Sequence, residues 1–537
     1  MSHIGVDVGF TGTKAVIFSI NGEILASSYN DYGARYKKDL LEKNEINPHF
    51  ILDGVKKVLS ACNSKYLKDK PKTIAVSVSG DDLFPIDAKG RPLHNALSAY
   101  NHKPVKYRKI ILKKLCGPEK VFYETGQVVE TDVLGLPRIL WLFDNIPGLR
   151  SKTWKFLCWE SYVNWYLTGI AVTDYSNASR FVTFDINKNC WSSRILEIFG
   201  LDTDKMPIAL LAGENIGKIR NEVADELSLP HDLQVLAGGF DQATAALGAG
   251  VFKEGRFSLG MGTVFASHWV VNDFKKTFKD RQEAYDKPTN ESANTIVEVK
   301  KETQQAINDV FNKIYPYCSY LVKDKYMGLL CNFNGSNTMN WFIDNLALNE
   351  KSRYKNKIYD YFNDKIDAFP SKLFFMPHFT GATYPVNDLN SRGTCIGLEL
   401  PTDNKEILKA IYEGLIFELK LNYSNLIKTS GFDIKEIIAI GGSSRSKIWL
   451  QMMANILNLK VSTVKIDEGG CLACAMLGAV STGEYKDIDE AITNLVKLKE
   501  TYEPQVKINK LFEDKFAVYN SIYKSVKKFN KYLSRYR

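Results

Sequence analysis

Ile4-Gly5-Val6-Asp7-Val8-Gly9-Phe10-Thr11-Gly12-Thr13-Lys14-Ala15-Val16-Ile17-Phe18 joins two apolar, β-branched runs through a tight turn that carries a carboxylate, glycines, threonines and a lysine. The run continues through Ser19-Ile20-Asn21-Gly22-Glu23-Ile24-Leu25, where Asn-Gly is the strongest short-range hairpin signal. The spacing predicts three short antiparallel strands, with the first turn built to sit against an oxyanion. Glycines let backbone N–H groups come close, hydroxyls add donors, and Asp7 can hold a divalent cation directly or through water. The competing reading is an ordinary glycine-rich hairpin.

A chain of 537 residues exceeds one ordinary core, so two domains are expected. No apolar run is long enough to cross a bilayer. The first strand begins almost at once, with no charged n-region or apolar h-region, so no signal peptide is expected and the expected location is the cytoplasm. Nine scattered cysteines fit reduced thiols. Cys471 and Cys474 have redox or metal spacing, but their neighbours are small and apolar, which points to packing on a helix face.

The formal charge of +9 resides mainly in one place: Lys507 to Arg537 holds nine basic and two acidic residues, leaving about +2 for the rest. Leu511, Phe512, Phe516, Tyr519, Ile522, Tyr523, Val526, Phe529 and Leu533 recur there at helical spacing, so a C-terminal helix docked by its apolar stripe, lysines in water, is expected. A helix meeting a membrane surface or an anionic partner is the alternative. With the basic excess confined to this tail, no nucleic-acid partner is expected.

A helix from Pro48 to Leu59 and a buried-type strand from Lys72 to Gly80, ending in Asp81-Asp82, suggest an α/β layer. Residues 104–230 read as helices and loops. A strand from Gln234 to Ala237 runs into Gly238-Gly239-Phe240-Asp241-Gln242, which places a carboxylate at the start of a small-residue helix. Gly260-Met261-Gly262-Thr263 then repeats the logic of the first hairpin. Residues 272–316 are charged and poor in large apolar side chains, which predicts a surface excursion, with regular structure resuming near Met376. A long helix from Lys405 to Lys428 precedes the strand, glycine turn and helix start of Glu436 to Ser446. A final strand, Lys460 to Lys465, leads to a helix over 470–482.

Three strand–glycine–hydroxyl turns, at 7–13, 260–263 and 441–446, and two strand-end carboxylates, Asp7 and Asp241, suit a nucleoside triphosphate lying between two domains. The P-loop sequence and the dinucleotide fingerprint are both absent.

From about residue 3 to about residue 485 the chain resembles the FGGY carbohydrate kinases, of the xylulokinase-like kind. Asp7-x-Gly9-x-Thr11 resembles their first phosphate motif, Gly239-x-Asp241-Gln242 the catalytic aspartate segment, and Gly260-x-Gly262-Thr263 the second phosphate motif. Gly393-x-Cys395-x-Gly397-Leu398, with Glu406-Ile407-x-x-Ala410-Ile411-Tyr412-Glu413-Gly414, follows the C-terminal signature, Cys395 being unusual. Gly441-Gly442-Ser443-Ser444-Arg445-Ser446-x-x-Trp449-x-Gln451-Met452 is similar to the adenosine segment. Two departures stand out. Phe10 occupies a position where members usually carry Thr, and Asn101 and Lys103 replace the acid and arginine of a Trp-x-Asp-x-Arg sequence.

The resemblance implies an α/β fold of two ribonuclease H-like domains, the sugar kinase/Hsp70/actin fold. Residues 1–244 would carry the sugar and the first phosphate motif, 245–487 the second phosphate and adenosine motifs, and 488–537 a basic tail. It implies transfer of the γ-phosphoryl group of ATP, with Mg²⁺, to a hydroxyl of a small sugar or polyol, a pentulose such as xylulose first. Asp241 would be general base, its competing role being a helix N-cap. Asp7 and Asp241 would hold the metal. Thr11, Gly12, Thr13, Lys14, Gly262, Thr263, Gly441, Gly442, Ser443 and Ser446 would line ATP, and Asp81, Asp82 and Asn101, with Asp241, the sugar. The expected partner is the small-molecule substrate, with no membrane, and a homodimer is the assembly entertained. The rival functions are a catalytically silent sugar or nucleotide sensor, for which Phe10 speaks, and an ATP-driven binding module.

Overall fold

In the computed structural model, which describes residues 1–65, 70–98, 101–129, 133–275 and 314–536, the opening stretch forms the antiparallel strands β1 (Ser2–Val8), β2 (Gly12–Ser19) and β3 (Ile24–Asp31). Gly22 takes a left-handed φ of 79° in the turn between the last two, a conformation that glycine adopts without steric cost. β4 (Thr73–Val78) runs parallel to β1 and is buried at every position, which is why it reads as an unbroken apolar run. The first sheet is completed by β5 (Asn215–Lys218), β6 (Gln234–Leu236), antiparallel to β5 and parallel to β4, and β7 (Gly239–Phe240), also parallel to β4.

A second sheet contains β8 (Arg256–Met261), β9 (Phe265–Val271), β10 (Tyr317–Ser319), β11 (Tyr326–Asn332), β12 (Glu436–Ile440), β13 (Lys460–Val464) and β14 (Leu498–Tyr502). Its order is β10-β11-β9-β8-β12-β13-β14. The antiparallel trio β11-β9-β8 followed by parallel β12 and β13 repeats β3-β2-β1 followed by β4 and β6. The fold is thus one α/β unit built twice.

Eight helices bear on the site and its support. They are α1 (Pro48–Lys65), α2 (Trp159–Thr168), α3 (Asp241–Gly248), α4 (Ser336–Leu346), α5 (Asn404–Ser430), α6 (Lys447–Leu457), α7 (Gly469–Ser481) and α8 (Val506–Leu533). α7 follows the last parallel strand of the second sheet but packs on β1 and β4 of the first, and crosses α3. The crossing is backbone to backbone. A Cβ on Gly5 would lie 2.1 Å from the Cys471 carbonyl oxygen, and one on Gly248 would lie 2.1 Å from that of Gly469. Cys471 and Cys474 are buried in this interface, and burial pushes both thiols well above their ordinary value. They pack, as their neighbours in sequence indicate.

Regular structure returns earlier than the sequence suggests: β10, β11 and α4 all precede Met376. The strand over 460–464 is not the last, since β14 pairs with it antiparallel. Most of the 272–316 excursion, residues 276–313, lies outside the described residues. Its flanks are core rather than surface, for Phe274, Ile314 and Tyr315 are buried.

α8 docks on α5 and α6 through Phe512, Tyr519 and Ile522. One lysine departs from the expected solvated face: Lys515 turns inward to the buried carboxylate of Glu413 and donates to the Ser371 carbonyl at 2.7 Å. Burial still pushes the Glu413 carboxyl up to about 7 and draws the Lys515 ammonium down. No described helix is long and apolar enough to cross a membrane.

Gly5→Ala should force α7 off β1, because the clash is with main chain and cannot be relieved by a rotamer change. A loss of about 1–3 kcal/mol is expected, read as a lower urea midpoint than wild type.

Candidate active site

The two sheets converge on a cavity of about 380 Å³ lined by Asp7 at the end of β1, Gly260 and Gly262 at the end of β8, Gly441 after β12, and Glu468 and Gly470 at the start of α7. Two of the three glycine turns and the first strand-end carboxylate therefore share one space. In the first hairpin Asp7 and Lys14 are directly opposed across β1 and β2. Lys14 Nζ donates to Glu468 Oε1 at 2.6 Å, tying the first sheet to the start of α7. Asp7 Oδ1 accepts from Ser77 Oγ at 2.8 Å, and Ser77 Oγ lies 2.8 Å from Thr244 Oγ1, which donates to the Asp241 carbonyl at 3.0 Å. A Cβ on Gly470 would come within 3.2 Å of Asp7 Oδ1, so only a residue this small leaves the carboxylate accessible. Burial, opposed by the Ser77 hydrogen bond, raises the Asp7 carboxyl above its ordinary value, and the Glu468 charge adds to the rise.

Asp241 opens α3, but the cap position is Phe240 and no side chain caps this helix. Asp241 Oδ1 has no hydrogen-bond partner among the described residues. Burial first, then the charges of Asp7, Asp81 and Asp82, push its carboxyl well above the usual carboxylate range. Asp81 Oδ1 is held by Arg180, at 2.8 Å from Nε and 2.7 Å from Nη2, and Arg180 Nη1 donates to Gln127 Oε1 at 3.1 Å. Asp82 Oδ2 accepts from Trp159 Nε1 at 2.9 Å, and Arg138 lies 3.9 Å from its other oxygen. Burial raises the Asp82 carboxyl in spite of both.

On the opposite wall the Gly262-Thr263 turn is exposed and held by its carbonyls. Ser336 N–H donates to the Gly262 oxygen at 3.0 Å and Asn337 N–H to that of Thr263 at 3.4 Å. Ser336 Oγ also sits 2.7 Å from Ser443 Oγ. Gly441 takes a φ of 91°, where its absent Cβ would approach the Met261 main chain at 3.3 Å. Gly442 lies in open space beside it.

Thr11 is exposed in the first turn, and Gly12 is buried beneath Tyr29 at the start of β2. Of the expected site residues, Asp7, Gly262 and Gly441 line the cavity, while Thr13, Ser446 and Asn101 turn their side chains to other partners. Thr13 faces the other side of β2, where its hydroxyl is 2.6 Å from that of Tyr32 inside the first core, because strand side chains alternate faces. Ser446 is the N-cap of α6, accepting from Trp449 N–H and donating to Asn363 at 2.9 Å. Asn101 spends its amide on the Asn44 carbonyl at 3.1 Å and on Lys103 N–H at 3.2 Å. Phe10, the unusual residue of the first turn, packs on the first core, and its carbonyl accepts from Tyr36 at 2.9 Å.

The sequence reading missed the buried polar network that places Asp241. Glu160 Oε1 accepts from Gly238 N–H at 2.7 Å and Ser176 Oγ from Phe240 N–H at 2.9 Å. Glu160 Oε2 accepts from Thr173, Asp174 and Asn177 at 2.8 to 3.0 Å. Burial and the Asp174 charge raise the Glu160 carboxyl well above its ordinary value. Arg180, Arg138 and Gln127 were also missed. One signal was available: α2 reads Trp159-Glu160-Ser161-Tyr162-Val163-Asn164-Trp165, with polar residues inside an apolar face.

A duplicated α/β unit that brings Asp7 of the first half and two glycine turns of the second to one cavity fits a two-domain phosphotransferase. Sequence models of the FGGY family of carbohydrate kinases match its N-terminal domain to residues 2–248 and its C-terminal domain to 295–482. The chain belongs to the FGGY carbohydrate kinase family. It is 24% identical over 539 residues to a xylulose kinase of Bacillus subtilis, covering 99% of both chains. It is also 24% identical over 501 residues to a gluconokinase of the same organism, covering 92% of this chain and 90% of the other. Ligand-bound xylulose kinase from Lactobacillus acidophilus superposes with a TM-score of 0.81 at 22% identity, covering 98% of both chains.

Asp241 carries a stability cost that its amide would not. Its folded value is raised, so its contribution is fully present below the ordinary carboxylate range and is lost as pH rises through the folded value. Asp241→Asn should therefore melt above wild type at pH 7 to 8 in metal-free buffer, with the gap closing near pH 4. A mutant that melts below wild type across this range would contradict the electrostatics.

Proposed function

We propose that the chain transfers the γ-phosphoryl group of ATP to a hydroxyl of a neutral polyhydroxylated substrate, a pentulose such as xylulose first, with Asp241 as general base. One observation carries the reading: Asp241 keeps an unpartnered oxygen among carboxylates that raise its basicity. The acceptor hydroxyl binds against this oxygen and passes its proton to it as the hydroxyl oxygen attacks the γ-phosphorus, and the bond to the ADP oxygen breaks in line. The oxygen donor sets of Asp7 and Asp241 fit a hard divalent cation. Mg²⁺ held there would neutralise charge on the phosphates. Thr11, Lys14 and Thr263, with the N–H groups of the glycine turns, surround the phosphates; Gly441, Gly442 and Ser443 face adenosine. Residues 1–244 and 245–487 are the two bodies that close over the substrates, excluding water that would otherwise hydrolyse ATP.

Charge favours a ketose or polyol over an aldonate. Arg180 and Arg138 are engaged by Asp81, Asp82 and the Ser98 carbonyl. An acid substrate would meet these carboxylates and Asp241. Paired hydroxyls, by contrast, can donate to Asp81 and Asp82.

The test is ADP release with Mg-ATP over pentuloses, hexuloses, polyols, glycerol and gluconate. Turnover on a neutral sugar should fall about 10²–10⁴-fold in Asp241→Ala. In wild type, kcat/KM should fall on the acid side at a pH above the ordinary carboxylate range, since the base must be unprotonated. Gluconate as the preferred acceptor would overturn the substrate assignment. Nucleotide binding without turnover on any acceptor would favour a silent sensor.

A further inference from the structure

The Gly262-Thr263 turn rests on the segment Asn334-Gly335-Ser336. Ser336 bonds the Gly262 carbonyl and meets the Ser443 hydroxyl, and a Cβ on Gly335 would lie 2.7 Å from the Thr263 oxygen. Nothing larger than glycine fits between the segment and the turn, so a shift of one is felt by the other. The segment is anchored from behind by Asn334, which is 1% exposed. Its Oδ1 accepts from Thr380 N–H at 3.1 Å and from Thr380 Oγ1 at 3.0 Å, and its Nδ2 donates to the Gly381 carbonyl at 2.9 Å.

The far end of that second segment is tied to α8. Ala382 and Asp388 exchange both main-chain hydrogen bonds, at 2.9 and 3.1 Å. Tyr523 donates to Asp388 Oδ2 at 2.8 Å. Ser391 Oγ lies 2.7 Å from His378 Nδ1 and accepts from Asn530 at 3.3 Å. His378 Nε2 is 3.2 Å from Glu418 Oε1, to which Tyr519 donates at 2.6 Å. α8 begins beyond residue 482, where the match to the family's C-terminal domain ends.

We propose that Asn334 is a positioning residue: through it α8, by way of segment 378–391, sets the Gly262-Thr263 turn and the Ser443 hydroxyl for nucleotide. Asn334 contacts no reacting group. Its three hydrogen bonds convert the packing of a helix outside the catalytic cleft into the position of the turn's N–H and hydroxyl donors. The inference rests on the phosphotransferase reading for where the nucleotide lies, and nucleotide affinity tests it apart from turnover.

Calorimetric titration with Mg-ADP is run beside initial-rate kinetics on Asn334→Ala, Asn334→Asp, Tyr519→Phe and the Asn334→Ala/Tyr519→Phe double variant. Asn334→Ala should weaken ADP about tenfold and raise the KM for ATP by a similar factor, leaving the sugar KM in place; one tenfold step matches the net contribution of one to two buried hydrogen bonds. Asn334→Asp keeps the acceptor for Thr380 and should recover part of the loss. Tyr519→Phe should weaken ADP a few-fold, and the double variant should lose less than the product of the two, as sites acting on one element do. A folded Asn334→Ala with wild-type ADP affinity overturns the proposal, as does an equal rise of both KM values or an exactly multiplicative double variant. Should Asn334→Ala not fold, Thr380→Val, which removes one of the three bonds, replaces it: a few-fold loss of ADP affinity supports the proposal and an unchanged one overturns it. Wild-type protein that binds ADP but turns over no acceptor removes the functional reading, and the ADP affinities still decide this one.

Discussion

The close crossing of α7 over β1 is the contact on which the site depends. Cys471 lies against Gly5 and Gly469 against Gly248, main chain on main chain, so the helix is seated by shape before any charge is counted. That seating delivers Gly470 beside Asp7 and Glu468 beside Lys14. Dense packing transmits displacement rather than absorbing it, so the geometry at Asp7 follows from the residues Gly469 and Cys471 that flank Gly470. The small-residue composition of α7 is thus part of the site, although none of its side chains does chemistry.

Around this contact the protein holds more buried carboxyl groups than a stability optimum would choose. Asp7, Asp82, Asp241, Glu160 and Asp174 all have carboxyls raised by burial. Such groups destabilise a fold unless they are paired or hydrogen-bonded. Asp82 and Glu160 are satisfied by Trp159 and by a set of amide and hydroxyl donors. Asp241 is left with an oxygen that has no hydrogen-bond partner among the described residues, which its proposed role as general base requires. The cost is borne by the well-packed networks around it, the usual arrangement where strain or charge is kept for function.

The second half repeats the strand order of the first but uses its glycine turns differently. In the first half the turn after β1 stands beside carboxylates. In the second, the turns after β8 and β12 are supported by Ser336, Asn337 and Ser443 and carry no acid of their own. Under the proposed function one half would take metal and acceptor and the other the nucleotide, dividing phosphoryl transfer between two copies of one unit. α8, whose basic composition looked like a tail, is joined to the second half by a buried ion pair and by Tyr519.

The opening hairpins, the duplicated strand–turn logic, the carboxylate after β6 and the helix built from Gly469 to Ser481 were legible in the sequence. All are local: a turn needs its own glycine, a buried strand its own apolar run, and a crossing helix its own small residues. The placements of Thr13 on the far face of its strand and of Ser446 as a helix N-cap were not legible, because a hydroxyl in a motif says nothing about which face of a strand it takes or whether it caps a helix. Glu160, Arg180, Gln127 and Asn334 were invisible for a related reason. Each acts on a partner far away in the chain, as Arg180 does on Asp81, 99 residues apart. Only the folded chain decides those pairs, because burial and proximity are set by how the two sheets and α7 come together, and no periodicity in a single segment encodes that.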